Sequence, residues 1–230
     1  GDNLWVGFVC HDPEPSKIIR KELKWDGGLS NDDMVAFTLD TYHDKRMGYC
    51  FGTNANGAHY DATFAADRDM GTQWDGIWDV ASRVTPEGWA CEMMIPFKTL
   101  RFPEGGTQTW GINFYRLIRR LNEEDYWRGW RRNEGSTHLA SSGTVTFDGM
   151  VKGGKQFDVS PYVLGGAEKE LYKDMDEKFK YGLDVKYGVT SNTTLTLTAK
   201  TDFAQVESDR EVINLTRFDL YYPEKRDFFL

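Results

Sequence analysis

The stretch that decides the fold is WDGIWDVASRVTPEGWACEMMIPF, residues 74–97. Two runs with alternating apolar residues, 74–82 and 89–97, flank the turn sequence Thr85-Pro86-Glu87-Gly88, and this pattern predicts a β-hairpin. In the second run every other residue from Trp89 to Ile95 is apolar, so one face of the hairpin should be buried. A hairpin alone is barely stable in water, and a second sheet must cover that face.

Short strands bounded by turns recur outward from this hairpin, and no segment shows a convincing helical period. An Asn-Gly turn at 54–57 joins two of them. The expected strands lie at 4–10, 34–39, 46–52, 58–65, 110–117, 126–130 and 142–147. The sequence therefore predicts an all-β chain in which residues 1–148 form an antiparallel β-sandwich.

The pattern changes in residues 149–230. In the run 178–188, aromatic and aliphatic residues alternate with Lys, Gly and Asp, and in 194–200 Leu and Ala alternate with Thr and Lys. Such strands of about ten residues are typical of the first hairpins of an outer-membrane β-barrel. From the residues alone, an amphipathic hairpin packed on a soluble sandwich is the alternative.

Composition excludes some classes of protein. The formal charge is −8, from 28 basic and 36 acidic residues, which argues against a nucleic-acid partner. No apolar run is long enough for a transmembrane helix. The three cysteines, Cys10, Cys50 and Cys91, are far apart and form no CxxC pair. Buried free thiols are expected, although a disulfide in an oxidising compartment stays open.

Several short motifs recur along the first part of the chain in a fixed order: WVGF (5–8), NDD (31–33), LDTYHD (39–44), WD (74–75 and 78–79), GW (88–89), IPF (95–97), LRF (100–102) and WGINF (110–114). Together they resemble the carbohydrate-binding module family 9-like domain. The motifs DFAQVE (202–207), VINLT (212–216) and YPEKRDFFL (222–230) resemble the segment that follows this domain in a large group of bacterial outer-membrane proteins of unassigned function. The resemblance implies a location at the bacterial outer membrane, with the sandwich in the periplasm or at the cell surface. It also implies a chain cut at both ends, before an opening strand and within a barrel.

The resemblance further implies a carbohydrate ligand, an oligo- or polysaccharide. Sugar sites combine flat aromatic faces with planar hydrogen-bonding groups. Five tryptophans lie in or beside predicted loops, with Trp74 and Trp127 the foremost candidates; the full set is Trp25, Trp74, Trp78, Trp127 and Trp130. Arg116, Arg119 and Arg120 could hold sugar hydroxyls, and Arg116 is the one assigned to the site. The alternatives are a core position for each tryptophan and, for Arg116, Arg119 and Arg120, surface ion pairs with residues 123–125.

An acidic loop suggests a cation site. Asn31, Asp32 and Asp33 precede a strand, and Asp26 stands at a Gly-Gly turn nearby. Hard oxygen ligands of this kind suit calcium, and the family resemblance implies the same, since family 9 modules often carry structural calcium. The other interpretation is a plain turn without a metal.

No motif of a known catalytic class appears. Non-catalytic glycan binding at the cell envelope is therefore the predicted function. One alternative is a transport or assembly component in which the sandwich is a plug or a partner-docking module. The other is a carbohydrate-active hydrolase, for which Asp79 and Glu92 on the central hairpin would be the carboxylate pair.

Overall fold

The computed structural model describes residues 1–65, 70–72, 74–103, 105–129, 139–147, 157–168, 176–190 and 193–199. The described strands are β1 (Asn3–His11), β2 (Met34–Asp40), β3 (Met47–Asn54), β4 (His59–Ala65), β5 (Met70–Gly71), β6 (Asp79–Thr85), β7 (Gly88–Pro96), β8 (Gln108–Ile118), β9 (Glu123–Tyr126), β10 (Gly143–Phe147), β11 (Phe157–Glu168), β12 (Asp176–Thr190) and β13 (Thr193–Ala199). Short 3-10 turns occur between them, and no α-helix occurs in these ranges. Within the same ranges, no helix has the length and apolar character needed to span a membrane.

Two compact units divide the chain, Gly1–Gly154 and Lys155–Leu230. In the first, a small sheet has the strand order β1-β7-β6, and a large sheet has the order β10-β8-β2-β3-β4-β5, with β9 also paired to β8. Every pairing is antiparallel. The prediction of an all-β fold with antiparallel, sandwich-like sheets is confirmed for this part of the chain. The predicted boundary at 148/149 lies outside the described residues.

The predicted hairpin is β6 and β7, but its first strand begins at Asp79 and not at residue 74, where the alternating run begins. Thr85 pairs with Gly88, so Pro86 and Glu87 form the turn between them. Gly88 has a φ of 142°, and a Cβ there would lie 2.0 Å from the carbonyl oxygen of Cys10. Only glycine therefore lets β1 pair so closely with the start of β7.

The main core lies between the two sheets. The alternating residues of β7 that the sequence indicated point into it, and they are joined by inward residues of β2, β3 and β8. The buried contributors include Trp89, Cys91, Met93 and Ile95 from the small sheet and Val35, Phe37, Leu39, Phe51 and Trp110 from the large sheet. Aromatic rings thus fill much of the space between the layers.

The outer face of the large sheet carries a second, smaller apolar cluster. Met34 and Ala36 of β2, Cys50 of β3 and Leu117 of β8 belong to it. Leu29 and Leu139, both from 3-10 turns, cover part of these side chains. Because β2 is buried on both faces, its sequence lacks the simple alternation of a half-exposed strand.

Two details differ from expectation. The strand expected at 126–130 is instead β9, Glu123–Tyr126, which folds back on Tyr115–Ile118 of β8. Its charged residues are compatible with pairing because they stand on an exposed edge. The strands β5 and β11 were not expected. All three cysteines are buried free thiols, as the first of the two sequence interpretations held.

The second unit contains the antiparallel sheet β11-β12-β13. The predicted run 178–188 lies within β12, and its partner 194–200 largely coincides with β13. One face of this sheet is apolar, and we call it the apolar face; it consists of Phe157, Val159, Pro161 and Val163 of β11, Phe179, Tyr181, Leu183, Val185 and Tyr187 of β12, and Leu195, Leu197 and Ala199 of β13.

Candidate functional site

An open groove of about 410 Å³ lies on the outer face of the large sheet. Its floor comes from Met34, Ala36 and Thr38 of β2, which alternate with the residues that point into the core. The turn Leu29–Asn31 and strands β4, β8 and β9 contribute the walls. This volume falls within the range of pockets that bind small organic ligands.

Three tyrosines give the groove its aromatic character: Tyr60 of β4, Tyr115 of β8 and Tyr126 of β9. The rings of Tyr115 and Tyr126 lie 4.7 Å apart between centroids, at an interplanar angle of 43°. Burial is the main reason that the pKa values of Tyr60 and Tyr115 rise to about 12. These hydroxyl groups therefore remain protonated donors throughout the physiological pH range.

Polar groups stand beside these rings. The hydroxyl of Tyr126 donates a hydrogen bond to Glu124 Oε2 at 2.9 Å. Asn113 Nδ2 donates to the carbonyl of Arg128, and Asn113 Oδ1 accepts from the backbone N–H of the same residue, both at 2.9 Å. Asn113 therefore holds the segment after β9 against β8, while Glu124 remains exposed at the edge of the groove.

Two of the predicted sugar-binding tryptophans lie inward. Trp78 is 3% exposed, and its indole N–H donates to Asp61 Oδ2 at 2.6 Å. Trp74 is half-buried, with its ring centroid 5.1 Å from that of Tyr49 and 5.9 Å from that of Phe51. Trp78 is thus a core residue, because the buried Asp61 requires a donor and the indole supplies it.

Two others are exposed but lie apart from the groove lining. Trp25, 51% exposed, stacks on His59 with centroids 3.9 Å apart. Trp127, 55% exposed, packs against Phe114 at 5.7 Å, and a Cβ on Gly143 would clash with its ring. Trp130 lies outside the described residues. Among the described residues, Trp25 and Trp78 both contact His59, and Trp74 and Trp78 both contact Phe51, whereas Trp127 contacts Phe114 instead.

The arginines of the charged segment bind to the end of β1. Arg116 Nη2 donates to the carbonyl oxygen of His11 at 2.8 Å. Arg120 forms two hydrogen bonds to the Asp12 carboxylate, at 2.5 and 2.8 Å, and these hold the pKa of Asp12 below its usual value. The partner of Arg120 is thus Asp12, from a distant part of the sequence, rather than the neighbouring acidic residues 123–125. Arg116 thus hydrogen-bonds to a backbone carbonyl and does not line the groove with the three tyrosines.

Three carboxylates form a candidate cation site. Ligand oxygens of Asp26, Asp61 and Asp75 lie within 4.8 Å of one another. Burial, together with the neighbouring charges, raises the pKa of Asp61 to about 7. Burial and the charge of Asp75 raise that of Asp26 to about 6. A divalent cation with a preference for oxygen ligands would offset this repulsion.

The other residues proposed for calcium have different partners. Asp32 Oδ2 accepts from the backbone N–H groups of Lys21 and Glu22 and from Asn54 Nδ2, each at 2.8 Å. Asp33 accepts from the backbone N–H groups of Ile19 and Arg119. These carboxylates therefore hold the irregular segment 19–22 in place.

One atom of this group has a free acceptor position. Asp32 Oδ1 is buried and has no hydrogen-bond partner among the described residues. Asp32 and Asn31 also line an open cavity of about 650 Å³. The predicted set is thus divided: Asn31, Asp32 and Asp33 stay together, whereas Asp26 joins Asp61 and Asp75.

Sequence reasoning missed the groove tyrosines, Glu124, Asp61 and Asp75. One signal was present in the strands themselves. In β8 the residues that alternate with the core set, Asn113, Tyr115 and Leu117, are also large or apolar, which indicates a covered second face. Asp61 stands in the middle of an apolar strand, where a carboxylate requires partners.

Comparisons with known proteins give two matches. A family model described as "Domain of unknown function (DUF5916)" matches residues 156–230, the part that contains β11, β12 and β13. No curated protein matches the sequence. Among solved structures, the chain is similar to a crystal structure described as a "putative carbohydrate-binding protein" from Bacteroides uniformis ATCC 8492, with 20% sequence identity and a TM-score of 0.45. The alignment covers 54% of this chain and 65% of that chain, so the chain spans less than two thirds of that protein.

Proposed function

We propose that the sandwich is a non-catalytic glycan-binding domain whose ligand lies in the groove of the large sheet. The observation that carries the proposal is the convergence of Tyr60, Tyr115 and Tyr126 on one groove of about 410 Å³. Tyrosine rings pack against the apolar face of a pyranose, and their hydroxyls bond to its rim. The groove is open, and its volume is large enough for a chain end or a short oligosaccharide.

The groove fits a sugar better than the exposed tryptophans do. The two exposed tryptophans of the predicted set already have neighbours against their rings, His59 for Trp25, and Phe114 and Arg128 for Trp127. Neither lines the groove. A single ring provides area but few directed hydrogen bonds, whereas the groove combines several rings with Glu124, Thr38 and Ser30. Orientation of a sugar needs both kinds of contact.

The first prediction tests this position for the ligand. Tyr126→Ala removes one ring from the groove, and we expect glycan affinity to fall about fivefold, because one stacked ring contributes about 1 kcal/mol beyond its buried area. Tyr126→Phe keeps the ring and should retain most of the affinity. A glycan array identifies the ligand, and titration calorimetry then measures each variant.

Trp127→Ala is the matched control, since Trp127 is an exposed aromatic residue next in sequence that does not line the groove. Its binding should equal that of the parent protein. If Trp127→Ala or Trp74→Ala loses affinity while Tyr126→Ala keeps it, the tryptophan platform expected from the sequence is the site instead. Absence of glycan binding by the parent protein contradicts the proposal altogether and favours a docking module.

The proposed setting is the bacterial outer membrane, with the second unit as the start of a β-barrel and the sandwich in the periplasm or at the cell surface. The support is the apolar face, on which Phe179 is 71% exposed and Val163 is 66% exposed. Paired apolar residues across three strands cover an area that water solvates poorly. Lipid is the proposed occupant of that face.

Hydrolysis has weaker support. Asp79 and Glu92 both lie exposed on β6 and β7 of the small sheet, away from the residues that line the groove. Turnover of labelled oligosaccharides by the parent protein, lost in Glu92→Gln, would be needed to establish a hydrolase.

A further inference from the structure

Charge around the groove is negative. Glu124 is the charged side chain among the described residues that line it, and no described lining residue is basic. Its carboxylate is held beside the ring of Tyr126 by the 2.9 Å hydrogen bond from the tyrosine hydroxyl. A ligand that lies on the tyrosine rings therefore lies close to a fixed negative charge.

One basic residue, Arg119, lies close enough to Tyr115 to affect its hydroxyl. Arg119 donates from Nη1 to Asn122 Oδ1 at 2.9 Å and does not line the groove. The acidic character of the whole chain, −8 in formal charge, adds to the negative field of Glu124.

We infer that the groove selects glycans that carry a protonated amine, such as unsubstituted amino sugars, over neutral and anionic glycans. This inference rests on the proposed glycan-binding function and names its ligand class. An ammonium group is attracted both by the faces of the tyrosine rings and by the carboxylate of Glu124, and both attractions increase its affinity. A neutral sugar gains only the stacking, and a sugar acid is repelled by the like charge.

The preference for an amine should depend on Glu124 and not on Glu123, because the two side chains lie on opposite faces of β9. Glu124 and Tyr126 are two residues apart on β9, so their side chains share the face that borders the groove, opposite Leu117 and Tyr115 of β8. Glu123, one residue earlier, points to the opposite face of the same strand and is also exposed. The two glutamates therefore have the same net charge but different access to the ligand.

The test compares two ligands with the same backbone, hexamers of glucosamine and of N-acetylglucosamine, by calorimetry at low salt and at about pH 6, where the sugar amine is protonated and a carboxylate is ionised. The amine form should bind about tenfold more tightly, the factor expected of one charge and ring contact at a partly exposed site. Glu124→Gln should bring the two affinities close together, whereas Glu123→Gln should leave the difference unchanged. Raising the salt from about 50 to about 500 mM should also reduce the difference.

Several outcomes overturn the inference. Equal binding of the two hexamers, or an equal effect of Glu123→Gln and Glu124→Gln, removes selection by Glu124 while the proposed glycan function stands. If spermidine, an amine without a sugar ring, competes as well as the glucosamine hexamer does, the groove is an amine site and both proposals fail. Both also fail if neither hexamer nor any other glycan binds.

Discussion

The carboxylate of Asp61 lies fully inside the sandwich, a rare position for an acidic residue. Trp78 Nε1 and the backbone N–H of Gly76 donate to it. Those bonds favour its charged form, but burial outweighs them and raises its pKa to about 7. Asp61 is thus protonated in the folded state over a pH range in which the unfolded chain has already lost that proton.

The second prediction follows from this shift. Because the folded-state pKa is above the unfolded value, the contribution of Asp61 to stability is fully present below about pH 4 and is lost as the pH rises through about 7. Asp61→Asn keeps an acceptor for Trp78 and cannot ionise. The parent protein therefore loses stability between pH 4 and pH 8, and the variant does not. The difference in free energy of unfolding, variant minus parent, should increase over this range. Urea titrations with a chelator present measure it, and a difference that does not vary with pH would contradict the assignment.

Among the elements, the strand β12 has the most unusual surface. Its residues from Phe179 to Tyr187 alternate strictly between the apolar face and the opposite face, which carries Lys180, Asp184 and Lys186. On β13 threonines continue the polar face, where Thr198 donates to Asp184. A strand with one apolar and one charged face needs two different surroundings.

The third prediction concerns this element. If lipid covers the apolar face, Leu183→Asp should cost up to about 2 kcal/mol, depending on depth, and should reduce association with phospholipid vesicles. Flotation of the protein with the vesicles measures this. Thr196→Asp introduces the same group on the opposite face, next to Lys186 in the register, and should leave association unchanged. If both variants float with the vesicles to the same extent as the parent protein, a protein surface and not lipid covers the apolar face.

At the scale of the whole molecule, calcium binding would couple the acidic loops to the stability of the sandwich. A cation that binds the folded state alone stabilises it by about 2.7 kcal/mol at a hundredfold excess over Kd. For a unit of this size that is a rise in melting temperature of about 5–10 °C. We propose two places for the ion: the trio of Asp26, Asp61 and Asp75, and the cavity beside Asn31 and Asp32 Oδ1.

The fourth prediction is that calcium raises the melting temperature at pH 8 and that a chelator reverses the change. Lowering the pH to 5 should weaken the effect at the trio, since Asp61 and Asp26 are then protonated. Asp75→Asn removes a ligand from the trio, and Asn31→Ala removes one from the cavity. The variant whose melting temperature no longer rises with calcium identifies the site. A melting temperature that responds to neither calcium nor chelator would contradict calcium binding at both places.

Local sequence was enough to predict most of the strands in the sandwich, although not all of their bounds. The hairpin of β6 and β7 and the inward set from Trp89 to Ile95 follow from a period of two and a Pro-Glu turn, which depend only on neighbouring residues. The strand β9 was misplaced because a short charged edge strand has no apolar alternation to mark it. Its pairing with β8 depends on a turn at 119–122 and not on its own composition.

The site, in contrast, was decided by tertiary structure. Whether a tryptophan such as Trp78 is buried, or a tyrosine such as Tyr115 borders a groove, depends on which face of its strand a second layer covers. Likewise, tertiary structure brings Asp26 and Asp75, which lie in two different loops, close to Asp61 of β4, and no local pattern encodes such proximity. The sequence by itself therefore determined that the described chain forms amphipathic antiparallel strands, because alternation is a property of adjacent residues. Only the packing of one sheet on another determined which side chains form the groove, because burial is a property of the whole fold.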